Sequence, residues 1–323
     1  MAHGANYWIR QVYLGIIPSY PLGYMLINGF RGDQFWTKFY VERSAVPPSE
    51  HLKDLVEAEL DKITDLKNAK VKVALTDRAE PRVYGGFFLT SGAELQFPVR
   101  VSFGDVEEAR RLAQNVEIDL GLASPALQKR NTLKCFWEGV ASNRRKIEVN
   151  SKVGEELISR MMLSDAAKMF LVQRELQLAN SGVVFCAPML AWFGIFSAGY
   201  AILLGFSSFV GVAVGSIVSV VISACAFRQF LTAYNAQSSK WADGKVVEMG
   251  EEYLQGARDY FRSTMKFNRL LRVLLGEEGE KNISKTGDVM LDPIPLSARL
   301  KNVEELWKRR KSKPEDTSLS KFY

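Results

Sequence analysis

From Ser181 to Phe227 the chain carries no charged side chain, reading SGVVFCAPMLAWFGIFSAGYAILLGFSSFVGVAVGSIVSVVISACAF. One bilayer-crossing helix needs about 20 apolar residues, so this run is long enough for two. A backbone in lipid must satisfy its own hydrogen bonds, and helices do so most economically. Gly205, Ser207 and Ser208 fall near the middle and predict a tight turn. The expectation is a transmembrane hairpin over 181–227, with span one near 183–204 and span two near 209–227. A single buried helix of a soluble protein is the competing reading. It fails on length, because globular helices seldom run so far without polar relief.

Small residues recur on both spans. Ser207, Gly211, Gly215, Ser219 and Ser223 come every fourth position, and Ala187, Ala191, Gly194, Ala198 and Ala201 come three or four apart. Either spacing gathers them on one side of a helix. Small faces let backbones approach closely in lipid, where water supplies no drive for association. The faces serve either the hairpin's own packing or a helix of another protein. Neither span holds an Asp, Glu, Lys, Arg or His, which argues against an ion or proton path.

The remaining composition describes a membrane-anchored protein with sizeable soluble parts. Its 323 residues carry a net charge of +6, with the basic excess mainly past residue 228. That end favours an anionic lipid surface or a negative compartment. The cysteines are Cys135, Cys186 and Cys225, and the histidines are His3 and His51. A structural zinc site needs four closely spaced ligands, so no metal or cofactor site is expected. A hairpin would bring Cys186 and Cys225 toward one membrane face. A disulfide or soft-metal pair is one reading there, and apolar packing is the other.

Residues 1–46 form an N-terminal apolar segment, chargeless from Gln11 to Phe30. Its length suits a third span, while Pro18, Pro21, Gly15 and Gly23 weigh against one. Two and three spans both stay open. Trp36, Phe39 and Tyr40 suit either a lipid boundary or a core. Residues 47–180 read as a soluble α+β domain. Ser49 caps a helix whose Leu52, Leu55, Val56, Leu60 and Ile63 share a face. Lys70–Phe103 is rich in β-formers and predicts a small antiparallel sheet, with Pro98 at an edge or bulge. Asp105 caps a helix to about Asn115, and a second is expected over 124–141. Arg144, Arg145 and Lys146 make a solvated patch rather than a nucleic-acid face. Ser164 caps a helix that leads straight into span one. Met161, Met162 and Met169 read as packing rather than copper donors. Residues 228–310 form a C-terminal helical region. A long helix runs to Gly276 with Tyr253, Ala257, Tyr260, Thr264, Phe267, Leu271 and Leu274 in a stripe, and a last helix covers 298–309. Residues 311–323 read as a disordered tail. The fold class is therefore an α+β membrane protein: a transmembrane helical hairpin, long amphipathic helices and a small antiparallel sheet.

No GxSxG, HExxH, Walker or dinucleotide pattern occurs, so neither an enzyme nor a small-molecule substrate is expected. Asn282-Ile283-Ser284 matches a glycosylation acceptor, a pattern that often arises by chance.

The C-terminal half carries a resemblance. Its features are Leu163-Ser164, Phe170 and Arg174-Glu175 ahead of the hairpin, then Gly256-x-x-Asp259-Tyr260, Asn268 and Gly287. The most distinctive piece is Leu274-Leu275-Gly276 with Gly279-Glu280-Lys281, and Val303-x-x-Leu306-Trp307 closes the match. Together they resemble the transmembrane protein 177 family over most of Lys70–Lys308. That resemblance implies a multi-pass protein of the mitochondrial inner membrane. It implies a role in early maturation of cytochrome c oxidase subunit II, stabilising that subunit and its dedicated membrane-bound assembly chaperone. Such a helper needs helices with docking faces and no catalytic centre. Subunit II receives copper, yet this chain lacks the clustered thiols or imidazoles of a copper carrier. The alternative is a hairpin protein of the endoplasmic reticulum that shapes or tethers that membrane, motivated by the hairpin itself, the sequon at Asn282 and the weak presequence.

Overall fold

The computed structural model describes residues 2–30, 44, 46–63, 69–76, 79–115, 151–290 and 292–312. Trp36, Phe39, Tyr40, Cys135, the helix expected over 124–141, the Arg144–Lys146 patch and the tail from 313 lie outside the described residues.

Two helices form the hairpin, α6 (Gly182–Val210) and α7 (Val212–Val247). Ser181 breaks the chain ahead of α6, and its hydroxyl caps the Val184 N–H. Helix α5 (Asp165–Asn180) therefore does not lead straight into span one. The reversal is one residue, Gly211, at φ 78°, a left-handed conformation that favours glycine. It comes later than the turn expected at Gly205–Ser208. A break there would strand carbonyls in lipid. Instead the helix continues, with the Ser207 hydroxyl bonded to the Leu204 carbonyl at 3.1 Å. Leu190, Phe193, Ile202 and Phe206 on α6 are exposed, as are Ile217, Val221 and Ile222 on α7. Only 17% and 22% of the most apolar windows are buried. A soluble core helix would be covered, so this surface suits lipid.

A third helix, α1 (Ala2–Phe30), lies along the hairpin. The Tyr13 hydroxyl meets Ser219 Oγ at 2.9 Å. Tyr20 stacks on Trp192 and meets the edge of Phe227, and Tyr24 packs on Phe185. Helix α1 thus runs antiparallel to α6 and parallel to α7. Pro21 removes the N–H that the Ile17 carbonyl would accept in a helix. Trp192 Nε1 supplies the missing donor at 3.0 Å, which explains how the helix tolerates that proline. Helices α1 and α6 each have 29 residues. At 1.5 Å per residue each is about 43 Å long, close to a bilayer with its headgroups.

The soluble part packs around α5, which is buried on all sides: Phe170, Leu171, Val172 and Leu176 have no exposed surface. Helix α8 (Glu251–Leu275) crosses it closely. A β-carbon at Gly256 would strike the Ala166 carbonyl, so glycine sets that approach. Helix α2 (Glu50–Asp61) covers α5 from another side, capped by Ser49 as expected. Helix α3 (Val106–Asn115) starts at Asp105, whose carboxylate accepts the Glu108 N–H, and packs on α4 (Lys152–Met161). Met161, Met162 and Met169 fill core edges.

The sheet is mixed rather than antiparallel. Its order is β1 (Val71–Thr76), β3 (Ala93–Pro98), β2 (Arg82–Gly85). β3 pairs parallel with β1 and antiparallel with β2. Propensity identifies strands but not neighbours. β3 is the central strand, with all six residues buried. Pro98 ends this central strand rather than lying on an edge, and turns the chain into a 3-10 turn at Val99–Val101.

Past the bilayer, α7 continues as one helix to Val247, and Gly250 separates it from α8. The long helix expected from 228 to 276 is thus two. Helix α9 (Glu277–Asn282) and α10 (Leu296–Ser312) complete the chain.

Candidate membrane interface

The ten small residues of the two spans separate into four groups. Ser207 and Gly211 belong to the reversal. Gly215, Ser219 and Ser223 are buried inside the three-helix bundle. Ser219 Oγ donates to the Gly199 carbonyl at 2.6 Å while meeting Tyr13, and a β-carbon at Gly199 would collide with Ser223 and Tyr13. Ala187 and Ala191 are half-buried. Gly194, Ala198 and Ala201 are exposed, and nothing stands within 4 Å of a β-carbon built at Gly194. The serine face of α7 therefore binds this chain's own helices, and the outer face of α6 is open. Gly199 and Trp192, both at close contacts of the bundle, escaped the sequence reading. Gly199 was one small residue among many, and nothing local marks Trp192 as the donor to a carbonyl 175 residues away.

Arg10 lies one turn before Tyr13 on α1 and its Nε has no partner. Its long stem can carry the guanidinium toward the interface at the reversal end. Cys186 is half-buried, Cys225 is exposed and both are free, so no disulfide joins the spans.

Where the hairpin meets the soluble domain, four buried charges interlock. Asp243 of α7 accepts Arg174 Nε at 3.0 Å and both Arg299 Nε and Nη2 at 2.8 Å. Arg174 also grips Glu175, and Glu80 stands 3.8 Å from Arg299. Burial alone would raise the Asp243 carboxyl, yet Arg299 and Arg174 together hold it below the usual carboxylate value. Burial pushes the Glu175 carboxyl up despite Arg174. This network joins α5, α7 and α10, residues far apart in sequence. It floors a crevice of about 540 Å³.

The Leu274–Lys281 run is a chain reversal. Gly276, at φ 60°, ends α8, and α9 folds back so closely that a β-carbon at Gly279 would strike the Arg272 carbonyl. Arg272 donates to the Ile283 carbonyl and pairs with Glu280 at 3.4 Å. Leu274 and Leu275 pack on Leu157, Leu271 and Ile283, and Lys281 is exposed. Asn268 Nδ2 donates to the Gly287 carbonyl at 2.9 Å, and Gly287, at φ 94°, abuts Met265. Ser164 Oγ bonds Asp259, Tyr260 packs on Phe170, and Val303 is fully buried. These side chains lock helices together, which is a structural role.

The family model described as Transmembrane protein 177 matches residues 7–315. The chain belongs to the transmembrane protein 177 family. Mouse Transmembrane protein 177 is 21% identical over 51% of this chain and 57% of its own length. Human Transmembrane protein 177 is 24% identical over 50% of this chain and 56% of its own. The chain thus spans little more than half the length of these relatives. An uncharacterized protein of Caenorhabditis elegans is 24% identical over 92% of this chain and 90% of its own. No solved structure matches. Family membership and two candidate spans make this a membrane protein, and no catalytic family is indicated.

Proposed function

We propose that this chain is a non-enzymatic assembly and stabilisation factor of the mitochondrial inner membrane. Its clients are newly made cytochrome c oxidase subunit II and the dedicated chaperone of that subunit. Membership of the transmembrane protein 177 family carries this reading. The open face of α6 supports it: Gly194, Ala198 and Ala201 offer a client helix close backbone approach while the bundle holds itself together elsewhere. Helix α1 crosses the bilayer beside the hairpin as a third span, because it matches α6 in length and exposes Trp8, Val12, Leu22 and Leu26 outward. The termini then face opposite sides.

Affinity capture of the tagged protein from gently solubilised mitochondria tests the role. Subunit II and its chaperone should co-purify, and clean recovery of neither would remove it. The sequon gives the endoplasmic reticulum alternative little support, since Asn282 is buried at 5% exposure, and a glycosidase-sensitive mass shift would favour that alternative.

A further inference from the structure

The crevice above the buried charge network lies at a defined depth. Its rim includes Tyr24 near the end of α1, Val184 in the first turn of α6 and Asn235 on α7. The hydrocarbon layer takes about 30 Å of α6's length, which leaves its first turn at the level of the lipid headgroups. The opposite wall is soluble domain and carries Arg82 of β2 and Asp292 ahead of α10. Pro81 and Pro293 flank these two residues and restrict the backbone beside them.

Arg82 and Asp292 face one space, and neither has an ion-pair partner among the described residues. Arg174, Glu175 and Arg299 beneath them are already engaged around Asp243. An unmatched cation and an unmatched carboxylate held over one cavity complement a ligand that carries both charges a few ångströms apart. We propose that the crevice seats the headgroup of a zwitterionic aminophospholipid, its phosphate against Arg82 and its ammonium against Asp292 and Glu80. Guanidinium groups suit phosphate oxygens, and carboxylates suit a primary ammonium that still has N–H donors. Leu178 and Val184 give the lipid's glycerol end an apolar wall. The volume lies within the range of small-ligand sites. Burial and Glu80 push the Asp292 carboxyl up to about 7, against Arg299 and with Asp288, and an arriving ammonium restores the charged form. The proposal goes beyond the assembly role and stands or falls separately.

Native mass spectrometry of the delipidated full chain tests it. Phosphatidylethanolamine should be retained at about tenfold lower concentration than phosphatidylcholine of the same acyl chains, whose quaternary nitrogen has no N–H. Arg82→Gln and Asp292→Asn should each erase that preference in a chain that still folds, as read by its circular dichroism. Equal retention of the two lipids would overturn the proposal, as would a preference that survives both substitutions. Displacement by soluble glycerophosphoethanolamine at equal concentration would overturn the lipid assignment in favour of a soluble ligand. The comparison of lipids on the unaltered chain decides the matter independently of how either variant folds.

Discussion

Asp243 is fully buried and neutralises two arginines at once. Asp243→Asn keeps the shape and leaves Arg174 and Arg299 short of a counter-charge. Breaking a buried pair in this way costs about 3–5 kcal/mol, so the variant should unfold far earlier in a chemical melt of the detergent-solubilised protein. Its carboxyl is lowered in the folded state, so the stability it contributes is present above the ordinary carboxylate value and lost as pH falls through the lowered one. Asp292 has the opposite sign. Its folded-state value of about 7 lies above the unfolded one, so stability declines as pH rises from the carboxylate range toward 7. Asp292→Asn should flatten that decline and leave the variant more stable than the parent at pH 8. Two glycines make a paired test of packing. Gly256→Ala drives a methyl into the Ala166 carbonyl and should cost about 1–3 kcal/mol. Gly194→Ala meets open space and should be neutral or slightly stabilising.

At the scale of elements, α1 and the two hairpin helices are coupled through Tyr13, Ser219 and Gly199. A double-mutant cycle of Tyr13→Phe and Ser219→Ala should show a coupling energy of about 0.5–1.5 kcal/mol, since interhelical hydrogen bonds in lipid are modest. A null coupling would mean that the rings of Tyr20, Trp192 and Phe227 hold α1 alone. The hairpin was legible in the sequence because a chargeless run has few physical solutions. Its reversal was not, because Gly205 and Ser207 look like a turn until the need to satisfy carbonyls in lipid is weighed. Pro21 counted against a helix, and only the distant indole of Trp192 reverses that. Helix caps at Ser49, Asp105 and Ser164 were readable because capping is local. The strand neighbours in the sheet and the meeting of Arg174, Asp243 and Arg299 were not, because both are set by tertiary approach between segments far apart in the chain. The resemblance residues were readable as a pattern, and their meaning as close helix contacts at Gly256, Gly279 and Gly287 required coordinates.

At the scale of the molecule, α7 is the shared beam. It leaves lipid near Arg228 and reaches Gly244, where Leu306 of α10 packs, about 24 Å later. Helix α10 runs onward from there to the contact between Arg310 and the Glu248 carbonyl. Lys308, Arg309 and Arg310 lie on this last stretch of α10. Exposed apolar surface is concentrated on α1 and the two hairpin helices. The bundle buries Gly215, Ser219 and Ser223 on the α7 side and leaves Gly194, Ala198 and Ala201 of α6 exposed, the face that the proposed function assigns to a client helix. Site-specific photo-crosslinking in intact mitochondria tests that division most directly, with the probe at Ala198 and, as control, at Val221 on the lipid side of α7. The expected result is an adduct with oxidase subunit II or its chaperone from Ala198 alone. Lipid adducts only, or the same protein adduct from both positions, would contradict it.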